Sequence, residues 1–282
     1  MKTRRLILAA VCVLSTSLVM ADKMASDTTP AEDLKTYRDY FSKRFAGVPL
    51  NEFGNGAYAL DRIARDNWEA IEEFPPYEPM IDAGEEMWNT PFANGKGYGS
   101  CFNDDPAQRK NFPYWDAKRK MVVTLPLAIN ECRTANGEAP LKYSKGKIAD
   151  LLAYMSYASR GQKIDIEIPD DPDALAAYNA GKNFYFARRG QLNLSCAHCH
   201  MQQAGMHLRS ELLSPAQGHA SGWPVYRAKW GELGTLHRRF GGCNRQVRAK
   251  AFKAQGEEYR NLEYFVTHMS NGVEFNGPSA RK

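Results

Sequence analysis

The sequence has no apolar run long enough to span a lipid bilayer. Its longest mostly apolar stretch, from Leu6 to Met20, is shorter than the roughly 20 residues that a transmembrane helix needs. Basic residues precede this stretch and small residues end it at Ala21, which is the pattern of a secretory signal peptide. Cys12 lies too early in the stretch for a lipoprotein anchor. We therefore expect a signal peptide over residues 1–21 with cleavage near Ala21, an exported mature protein, and no membrane span after processing.

The sequence also has little net charge. It contains 37 Lys and Arg residues against 32 Asp and Glu residues, a formal charge of +5. Lys2, Arg4 and Arg5 fall in the predicted signal peptide, so the mature chain carries 34 basic residues (37 less 3) against 32 acidic ones, a net charge of +2. So weak a balance gives no reason to expect nucleic acid as a partner. Positive charge that contributes to function must therefore be concentrated in a short part of the sequence.

Cysteines are few and do not form an even set. Of the six in the sequence, Cys12 falls in the predicted signal peptide. The other five are Cys101, Cys132, Cys196, Cys199 and Cys243. Disulfides persist in exported proteins, but with an odd number at least one sulfur must do something other than pair within the chain.

Two of these cysteines belong to a C-x-x-C-H motif, Cys196-Ala197-His198-Cys199-His200. The motif is typical of c-type haem attachment, in which two thiols add to the porphyrin vinyl groups and the adjacent histidine reaches the iron. A redox dithiol would not need His200, and a zinc site would need a second C-x-x-C pair, which the sequence lacks. We therefore predict one covalently bound haem c on Cys196 and Cys199, with His200 as the proximal iron ligand and His198 as a solvent-facing spacer.

A weak internal repeat indicates that the chain has two similar halves. A Thr-Leu pair precedes Cys132, and another precedes Cys243 by the same number of residues. Each of these cysteines is followed by apolar residues at helical spacing, over residues 148–157 and 259–269. The sequence therefore predicts a mainly α fold with two cytochrome-like domains in tandem, only the second of which carries haem.

The boundary between the two predicted domains lies near Ile164–Pro172. Apolar and acidic residues alternate there, and the prolines exclude a continuous helix. Asp171 or Asp173 is placed to cap the helix that follows. We expect a haem-less domain over residues 22–165 and a haem-binding domain over residues 166–282.

The first half lacks the haem motif. Cys101 corresponds in the repeat to the haem attachment position, but neither a second cysteine nor a histidine follows it. Cys132 corresponds to the position from which a distal ligand would approach the iron. With no haem between them the two sulfurs can bond, and we predict a Cys101–Cys132 disulfide that contributes ~3–4 kcal/mol by closing its loop. Two buried free thiols are the alternative.

Cys243 is the odd cysteine, and it lies in a basic part of the sequence. Arg238, Arg239, Arg245 and Arg248 lie near it with no acidic residue among them. Clustered guanidinium groups favour a thiolate and attract small oxyanions. The Cys243 sulfur could therefore ligate the iron opposite the proximal histidine, act as a nucleophile, or do both. An unreactive cysteine in a basic loop is the alternative.

Methionine is the usual distal ligand of an electron-carrying cytochrome. The second half offers Met201, Met206 and Met269. The first two lie so close to His200 in sequence that reaching around the ring is awkward. Met269 falls in the last predicted helix, where a core position is the simpler interpretation.

The residues described above resemble the SoxA subunit of the SoxAX cytochromes of bacterial sulfur oxidation. The likeness covers nearly the whole mature chain and rests on Ala128–Arg133, on the haem motif Cys196–His200, and on Arg238–Cys243. It implies two tandem class I cytochrome c domains and a periplasmic heterodimer with a small cytochrome, SoxX. Some members carry a second haem in the first domain. Because Cys101 has no C-x-x-C-H motif around it, the chain resembles the single-haem type.

The same resemblance implies an activity. Members of this family join thiosulfate oxidatively to a cysteine of the carrier SoxYZ, and two electrons pass to haem. The chain is accordingly expected to be an L-cysteine S-thiosulfotransferase. Cys243 would then be the catalytic residue and distal haem ligand, a position often found as a persulfide, and Arg239 the arginine beside it. A plain electron-transfer cytochrome with a non-catalytic Cys243 is the alternative, and a sensor of redox state or small ligands is a weaker third.

Overall fold

The computed structural model of the protein describes residues 28–281. In this range the chain is mainly helical, which confirms that part of the predicted fold class, and its strands are short. No helix in the described range is both long and apolar enough to cross a membrane. The predicted signal peptide of residues 1–21 lies outside the described residues.

Helices dominate both halves of the chain. The α-helices are α1 (Pro30–Arg44), α2 (Arg62–Glu72), α3 (Glu78–Asn89), α4 (Gly99–Phe102), α5 (Leu125–Ala135), α6 (Lys147–Ala158), α7 (Pro172–Phe186), α8 (Leu236–Gln246) and α9 (Glu257–His268). Two 3-10 segments, Leu50–Ala59 and Arg109–Asn111, and a π-helical turn, His198–Gln202, are the other helical elements of residues 28–281.

The strands form three small sheets. They are β1 (Tyr114–Asp116), β2 (Met121–Val123), β3 (His207–Leu208), β4 (Glu211–Leu212), β5 (Val225–Arg227), β6 (Glu232–Gly234) and β7 (Ser279–Arg281). Strands β1 and β2, and β3 and β4, pair as antiparallel hairpins. Strand β5 lies between β6, to which it is antiparallel, and β7, to which it is parallel.

The two halves repeat one order of elements. The first half has α3, the short α4, the β1–β2 hairpin, α5 and α6 in this order, with the 3-10 segment Arg109–Asn111 before β1. The second half has α7, the π-helical turn, the β5–β6 hairpin, α8 and α9, with the β3–β4 hairpin inserted after the turn. Thr124 caps α5, and Thr235 caps α8, because each side chain accepts a hydrogen bond from a backbone N–H of the first turn. The two Thr-Leu pairs of the sequence are therefore the starts of corresponding helices.

The helix predictions agree closely with the structure. The helix predicted over residues 148–157 is α6, and that predicted over 259–269 is α9. Asp171 caps α7 by accepting hydrogen bonds from the backbone N–H groups of Asp173 and Ala174.

A glycine lies at the helix crossing in each half. Helix α3 crosses α6 at Gly84, where an added Cβ would lie 2.2 Å from the backbone oxygen of Asp150. Helix α7 crosses α9 at Gly181, where an added Cβ would lie 2.0 Å from the backbone oxygen of Asn261. No side chain fits at either point, so the backbones can pack directly against each other. In the second half this crossing fixes the helix pair behind the haem motif.

Helix α1 packs on the C-terminal half, although the predicted domain bounds assign it to the first domain. Tyr37 and Phe41 belong to the same buried cluster as Tyr178 of α7. The Asp33 carboxylate lies 2.8 Å from the Lys182 ammonium, and both side chains are almost fully buried. Removing either member of such a pair would leave an uncompensated buried charge. The segment that begins at α1 is therefore anchored to the haem-motif half by both apolar packing and charge.

Candidate active site

The C-x-x-C-H motif forms a tight helical turn. His200 lies within the π-helical turn, and Cys196 and Cys199 lie outside any disulfide. His198, which the sequence suggested faces solvent, is half-buried and so only partly exposed. Its Nδ1 lies 2.8 Å from the Ser195 hydroxyl, which holds the ring against the turn.

The His200 ring is oriented by a backbone carbonyl. Its Nδ1 lies 2.9 Å from the Ser214 carbonyl oxygen, so the Nδ1–H donates to that oxygen. This leaves Nε2 as the nitrogen available to a metal. Two unbonded thiols three residues apart and one oriented imidazole are the donor set of a covalent haem c, so the residues present fit that group.

A second histidine lies against His200. The His219 ring meets the His200 ring edge to face, with centroids 4.4 Å apart, and its Nε2 lies 3.1 Å from the Ser214 hydroxyl. Burial holds the pKa of His219 well below its ordinary value, and the positive charges of His200 and Arg239 lower that pKa further. A neutral imidazole therefore supports the proximal ring. No sequence pattern identified His219, because its contacts with His200 and Ser214 exist only in the folded chain.

Helix α8 carries both Cys243 and Arg239. Phe240 packs against Tyr259 of α9 with ring centroids 5.6 Å apart, and the Asn244 side-chain amide donates to the Tyr259 hydroxyl at 2.9 Å. These contacts fix one face of α8 against α9. Residues four apart share a helical face, so Arg239 and Cys243 lie together on the adjoining half-buried face.

The Cys243 sulfur lies close enough to His200 for the imidazole to influence its ionisation. Burial acts to raise the pKa of Cys243, but the positive charges of Arg239, His200 and Arg227 outweigh it and lower the pKa to about 7. A large fraction of the thiol is therefore ionised at neutral pH. The thiolate is the form that both a nucleophile and an iron ligand require.

The surroundings of the two cysteines of the C-x-x-C-H motif favour the neutral thiol instead. Burial, and then the negative charge of Cys243, raise the pKa of Cys196 to about 12. Burial and Cys243 also raise the pKa of Cys199. The three sulfurs therefore lie close enough to interact, and Cys243 is the one that the surroundings favour as a thiolate.

Arg227 is a site residue that sequence reasoning missed. It lies on strand β5, yet its positive charge acts on Cys243 together with that of Arg239. Burial lowers the pKa of Arg227 to about 10, and the nearby charge of Arg239 contributes to that decrease. Its Nε is buried and has no hydrogen-bond acceptor within the described residues. Two neighbouring guanidinium groups with an unused donor are suited to bind an anion.

The other arginines near Cys243 in sequence have different surroundings. Arg238 lies 3.1 Å from the Glu232 carboxylate and stacks over the Trp230 ring at 4.1 Å. Arg245 and Arg248 are exposed. Of the four arginines that the sequence singled out, Arg239 is therefore the one whose charge is directed at the sulfur.

The three methionines lie away from a ligand position. Met201 and Met269 are buried in the main apolar cluster, and Met206 is 56% exposed. Tyr40 donates to the Met201 carbonyl at 2.9 Å. These contacts are those of core and surface residues.

Cys101 and Cys132 form a disulfide in the first half, with Cα atoms 6.0 Å apart. It lies beside the short helix α4, which corresponds in the repeat to the haem-motif turn. An open cleft of about 600 Å³ adjoins the disulfide and is lined in part by Phe102, Phe112 and Tyr114. The two sulfurs thus occupy positions that correspond to a haem attachment point and to Cys243.

Comparison with known proteins decides the family. The model of the SoxA/TsdA cytochrome c domain matches residues 83–164 and 180–275. The chain belongs to the SoxA/TsdA cytochrome c family. The two matched segments contain the corresponding element series of the two halves, and membership implies haem c binding. The resemblance to SoxA inferred from the sequence is thereby confirmed.

Individual family members are similar over most of their length. The chain is 65% identical over 255 residues to the L-cysteine S-thiosulfotransferase subunit SoxA of Allochromatium vinosum, covering 90% of this chain and 91% of that protein. It is 55% identical over 250 residues to the corresponding subunit of Chlorobaculum thiosulfatiphilum, covering 89% of this chain and 87% of that protein. The crystal structure of SoxXA from P. pantotrophus superposes with a TM-score of 0.70 at 31% identity, covering 77% of this chain and 84% of that one.

Proposed function

We propose that this protein is a periplasmic L-cysteine S-thiosulfotransferase subunit that joins thiosulfate oxidatively to a cysteine of the carrier SoxYZ. The observation that carries the proposal is the position of Cys243, which faces His200 beside Arg239 and Arg227. An electron carrier needs an iron ligand but no anion-binding arginines. A transferase acting on thiosulfate, a dianion, needs both.

The proposal includes the organisation of the chain. Two tandem class I cytochrome c domains span residues 22–165 and 166–282, after a signal peptide of residues 1–21 that directs export to the periplasm. One haem c is attached to Cys196 and Cys199, with His200 as the proximal and Cys243 as the distal ligand. The first domain carries the Cys101–Cys132 disulfide in place of haem. This assignment is supported by the repeated element order and by the family match to both halves.

The reaction balances as a two-electron oxidation. A carrier thiol and thiosulfate yield a cysteine bearing a thiosulfonate group, one proton and two electrons, with a new S–S bond between the carrier sulfur and the outer sulfur of thiosulfate. A haem iron takes up one electron at a time, so the haem, when bound, would accept one of these electrons and the haem of the proposed SoxX partner the other. The chain's own contribution is to hold the Cys243 sulfur as a thiolate, to orient His200 through Ser214, and to bind the anion with guanidinium groups.

Two arginines from different elements give the substrate a defined position. Arg239 belongs to α8 and Arg227 to β5, so the two guanidinium groups near Cys243 are held by different elements of the fold. Forked guanidinium groups bind a sulfonate through paired hydrogen bonds, which a single lysine would not do. The anion would also relieve the repulsion between the two neighbouring cations.

A second subunit completes the enzyme. The structural relative is a SoxXA complex, and we propose that this chain likewise forms a heterodimer with SoxX. The SoxX haem then offers an exit for the electrons. Thiosulfate, SoxX and SoxYZ are thus the three expected partners.

Turnover by the reconstituted complex tests the function. The mature holoprotein with SoxX is mixed with reduced SoxYZ, thiosulfate and an electron acceptor, and the carrier is examined by intact mass spectrometry. A mass increase equal to one thiosulfonate group on the carrier is expected, together with reduction of haem. A complex that transfers electrons to added cytochromes but never modifies the carrier would be a plain electron-transfer cytochrome instead.

Intact mass also checks the haem and disulfide assignments. The purified mature protein is expected to carry the mass of one haem per chain. After unfolding without reductant, Cys101 and Cys132 should not react with an alkylating reagent, and after reduction both should react. Two haems per chain, or alkylation of Cys101 or Cys132 before reduction, would contradict the assignment of the first domain.

The role of Arg227 predicts a specific kinetic change. Arg227→Met removes one charged donor set, and hydrogen bonds to charged groups are worth about 1.5–3 kcal/mol. We expect KM for thiosulfate to rise by roughly 10-fold or more, with a smaller change in kcat. Arg245→Met is the matched control. Arg245 lies two residues from Cys243 in the sequence, but its side chain is exposed and its charge is not among those that lower the pKa of Cys243.

The outcomes separate two anions that Arg227 could bind. A raised KM with an unchanged haem reduction potential assigns Arg227 to thiosulfate. A shifted potential with an unchanged KM would assign it to a haem propionate and contradict the substrate role.

A further inference from the structure

A buried polar cluster lies where the two halves of the chain meet, at the start of α8. His237, in the first turn of that helix, and Glu263 of α9 have side chains that are 1% and 6% exposed. The backbone N–H of Gln255 donates to His237 Nδ1 at 3.0 Å, so Nδ1 carries no proton. A neutral His237 then holds its proton on Nε2, which lies 2.9 Å from the Glu263 carboxylate.

A neutral His237 gives the Glu263 carboxylate no positive charge. Arg109, which comes from the haem-less half and is itself buried, lines the same small cavity as Glu263, and the opposite charges of the two side chains attract each other. Burial lowers the pKa of Arg109, and the Glu263 carboxylate partly opposes that decrease. Arg109 is held in place by its hydrogen bond to the Ala220 carbonyl at 3.0 Å and by the Phe275 ring, 5.1 Å from its guanidinium carbon.

A small cavity connects the members of this cluster. It has a volume of about 10 Å³, and its lining includes Arg109, His237, Gln255 and Glu263. Arg109 Nε has no acceptor within the described residues, and His237 Nε2 is not aligned with the carboxylate in spite of its short distance. A cavity of this size has room for about one water molecule, which could accept from both donors and donate to Glu263.

The haem-less half also reaches the cluster at a second point. Thr124, which caps α5, donates to the Gln255 side-chain oxygen at 2.6 Å. Gln255 is the residue whose backbone orients His237. Two side chains of the first half therefore act on the first turn of the helix that carries Cys243.

We propose that Arg109 of the haem-less half is a positioning residue for the cysteine-bearing helix α8, acting through Glu263 and His237. Arg109 compensates the Glu263 carboxylate in a buried site. The compensated carboxylate holds His237 through the water for which the cavity has room, and His237 fixes the first turn of α8, six residues before Cys243. This gives the haem-less half a role in the active site without any electron transfer through it. The proposal rests on the proposed function only in taking Cys243 as the distal ligand.

A charge-removal cycle tests the proposal on the purified holoprotein. Arg109→Met leaves the Glu263 carboxylate buried and uncompensated, whereas Arg109→Met/Glu263→Gln removes both charges. The control is Arg160→Met, because Arg160 donates to the carbonyls of Gly277 and Pro278 away from His237. The readouts are the thermal midpoint and the electron paramagnetic resonance spectrum of the ferric haem, which reports its axial ligands.

Arg109→Met is expected to lower the thermal midpoint by roughly 10 °C and to split the ferric spectrum into Cys243-ligated and unligated populations. The double variant should regain one wild-type spectrum and most of the lost midpoint. Arg160→Met should lower the midpoint while leaving the spectrum unchanged. If Arg109→Met does not fold, recovery of a folded double variant with the wild-type spectrum supports the same conclusion.

Three results would overturn the proposal. One is an unchanged ferric spectrum in folded Arg109→Met, which would make the residue merely structural. The second is a double variant no better than the single one, and the third is a double variant that also fails to fold. If the wild-type spectrum shows no sulfur ligand on the iron, the proposed role of Cys243 is wrong. The thermal midpoints of the single and double variants still report whether Arg109 compensates the Glu263 charge. None of these measurements uses thiosulfate or the carrier, so their failure is distinct from loss of turnover.

Discussion

Cys243→Ser is expected to lower transfer of thiosulfate to the carrier by ~10³-fold or more while leaving one haem attached. The reason is that a serine hydroxyl stays protonated at neutral pH, whereas Arg239, His200 and Arg227 hold the Cys243 pKa at about 7. Serine also lacks the thiolate sulfur that is the proposed iron ligand and that a sulfur-transfer intermediate requires. In the proposed assignment covalent attachment depends on Cys196 and Cys199, which the substitution does not touch.

The control for this substitution lies on the same helix. Gln246 is exposed at the end of α8, so Gln246→Ser changes the helix without reaching the site and should keep wild-type turnover. Turnover is measured by the mass of the carrier, haem content by the pyridine haemochrome assay, and axial ligation by the ferric spectrum. Wild-type turnover in Cys243→Ser would refute the transferase mechanism, and an unchanged ferric spectrum would refute distal ligation.

Local patterns in the sequence were sufficient to locate much of the candidate site. The C-x-x-C-H motif defines three residues by spacing alone, and the haem-motif turn follows directly from it. The helix that carries Cys243 begins at a threonine cap, and its basic character is readable from consecutive residues. The apolar spacing that predicted α6 and α9 is equally local. Each of these features depends on residues within a few turns of one another.

Contacts between distant segments were not predictable in the same way. Arg227 reaches Cys243 only because the β5–β6 hairpin folds back beside α8. Arg109 reaches Glu263 across the two halves, and no spacing rule relates the two residues. Charge alone also misled, because Arg238 is as basic as Arg239 in sequence but is paired with Glu232 in the structure. The packing of the folded chain therefore decides which arginine lies close enough to lower the pKa of Cys243.

Helix α1 is a feature that a local pattern could have revealed. Thr29 and Glu32 form a reciprocal capping box at its start, the arrangement that a T-x-x-E sequence offers. Its packing on the second half is a different matter. The Asp33–Lys182 pair that anchors it joins residues far apart in sequence, and each would be taken for an ordinary surface charge. The start of the helix was therefore readable, but its place in the fold was not.

Gly181→Ala is expected to destabilise the haem-binding half by about 3 kcal/mol or more, through overpacking. An added Cβ would lie 2.0 Å from the Asn261 backbone oxygen and 2.6 Å from its carbonyl carbon, so α7 and α9 would have to move apart. Alanine is favoured over glycine inside a helix by about 1 kcal/mol, so intrinsic propensity alone predicts stabilisation. The two effects oppose each other, and contact with backbone atoms is the larger because they cannot rotate away.

Unfolding followed at the haem absorption band measures this effect. Substitutions at two other glycines provide the comparison. Gly97→Ala is the neutral control, because the nearest atom to its new Cβ lies 3.9 Å away. Gly84→Ala places a Cβ 2.2 Å from the Asp150 backbone oxygen at the corresponding crossing of the first half, so it should destabilise that half and leave haem attachment intact. Only Gly181→Ala should reduce the yield of holoprotein. A Gly181→Ala protein as stable as Gly97→Ala would show that the crossing of α7 and α9 tolerates a side chain. The close backbone contact at this crossing would then not be needed for the stability of that half.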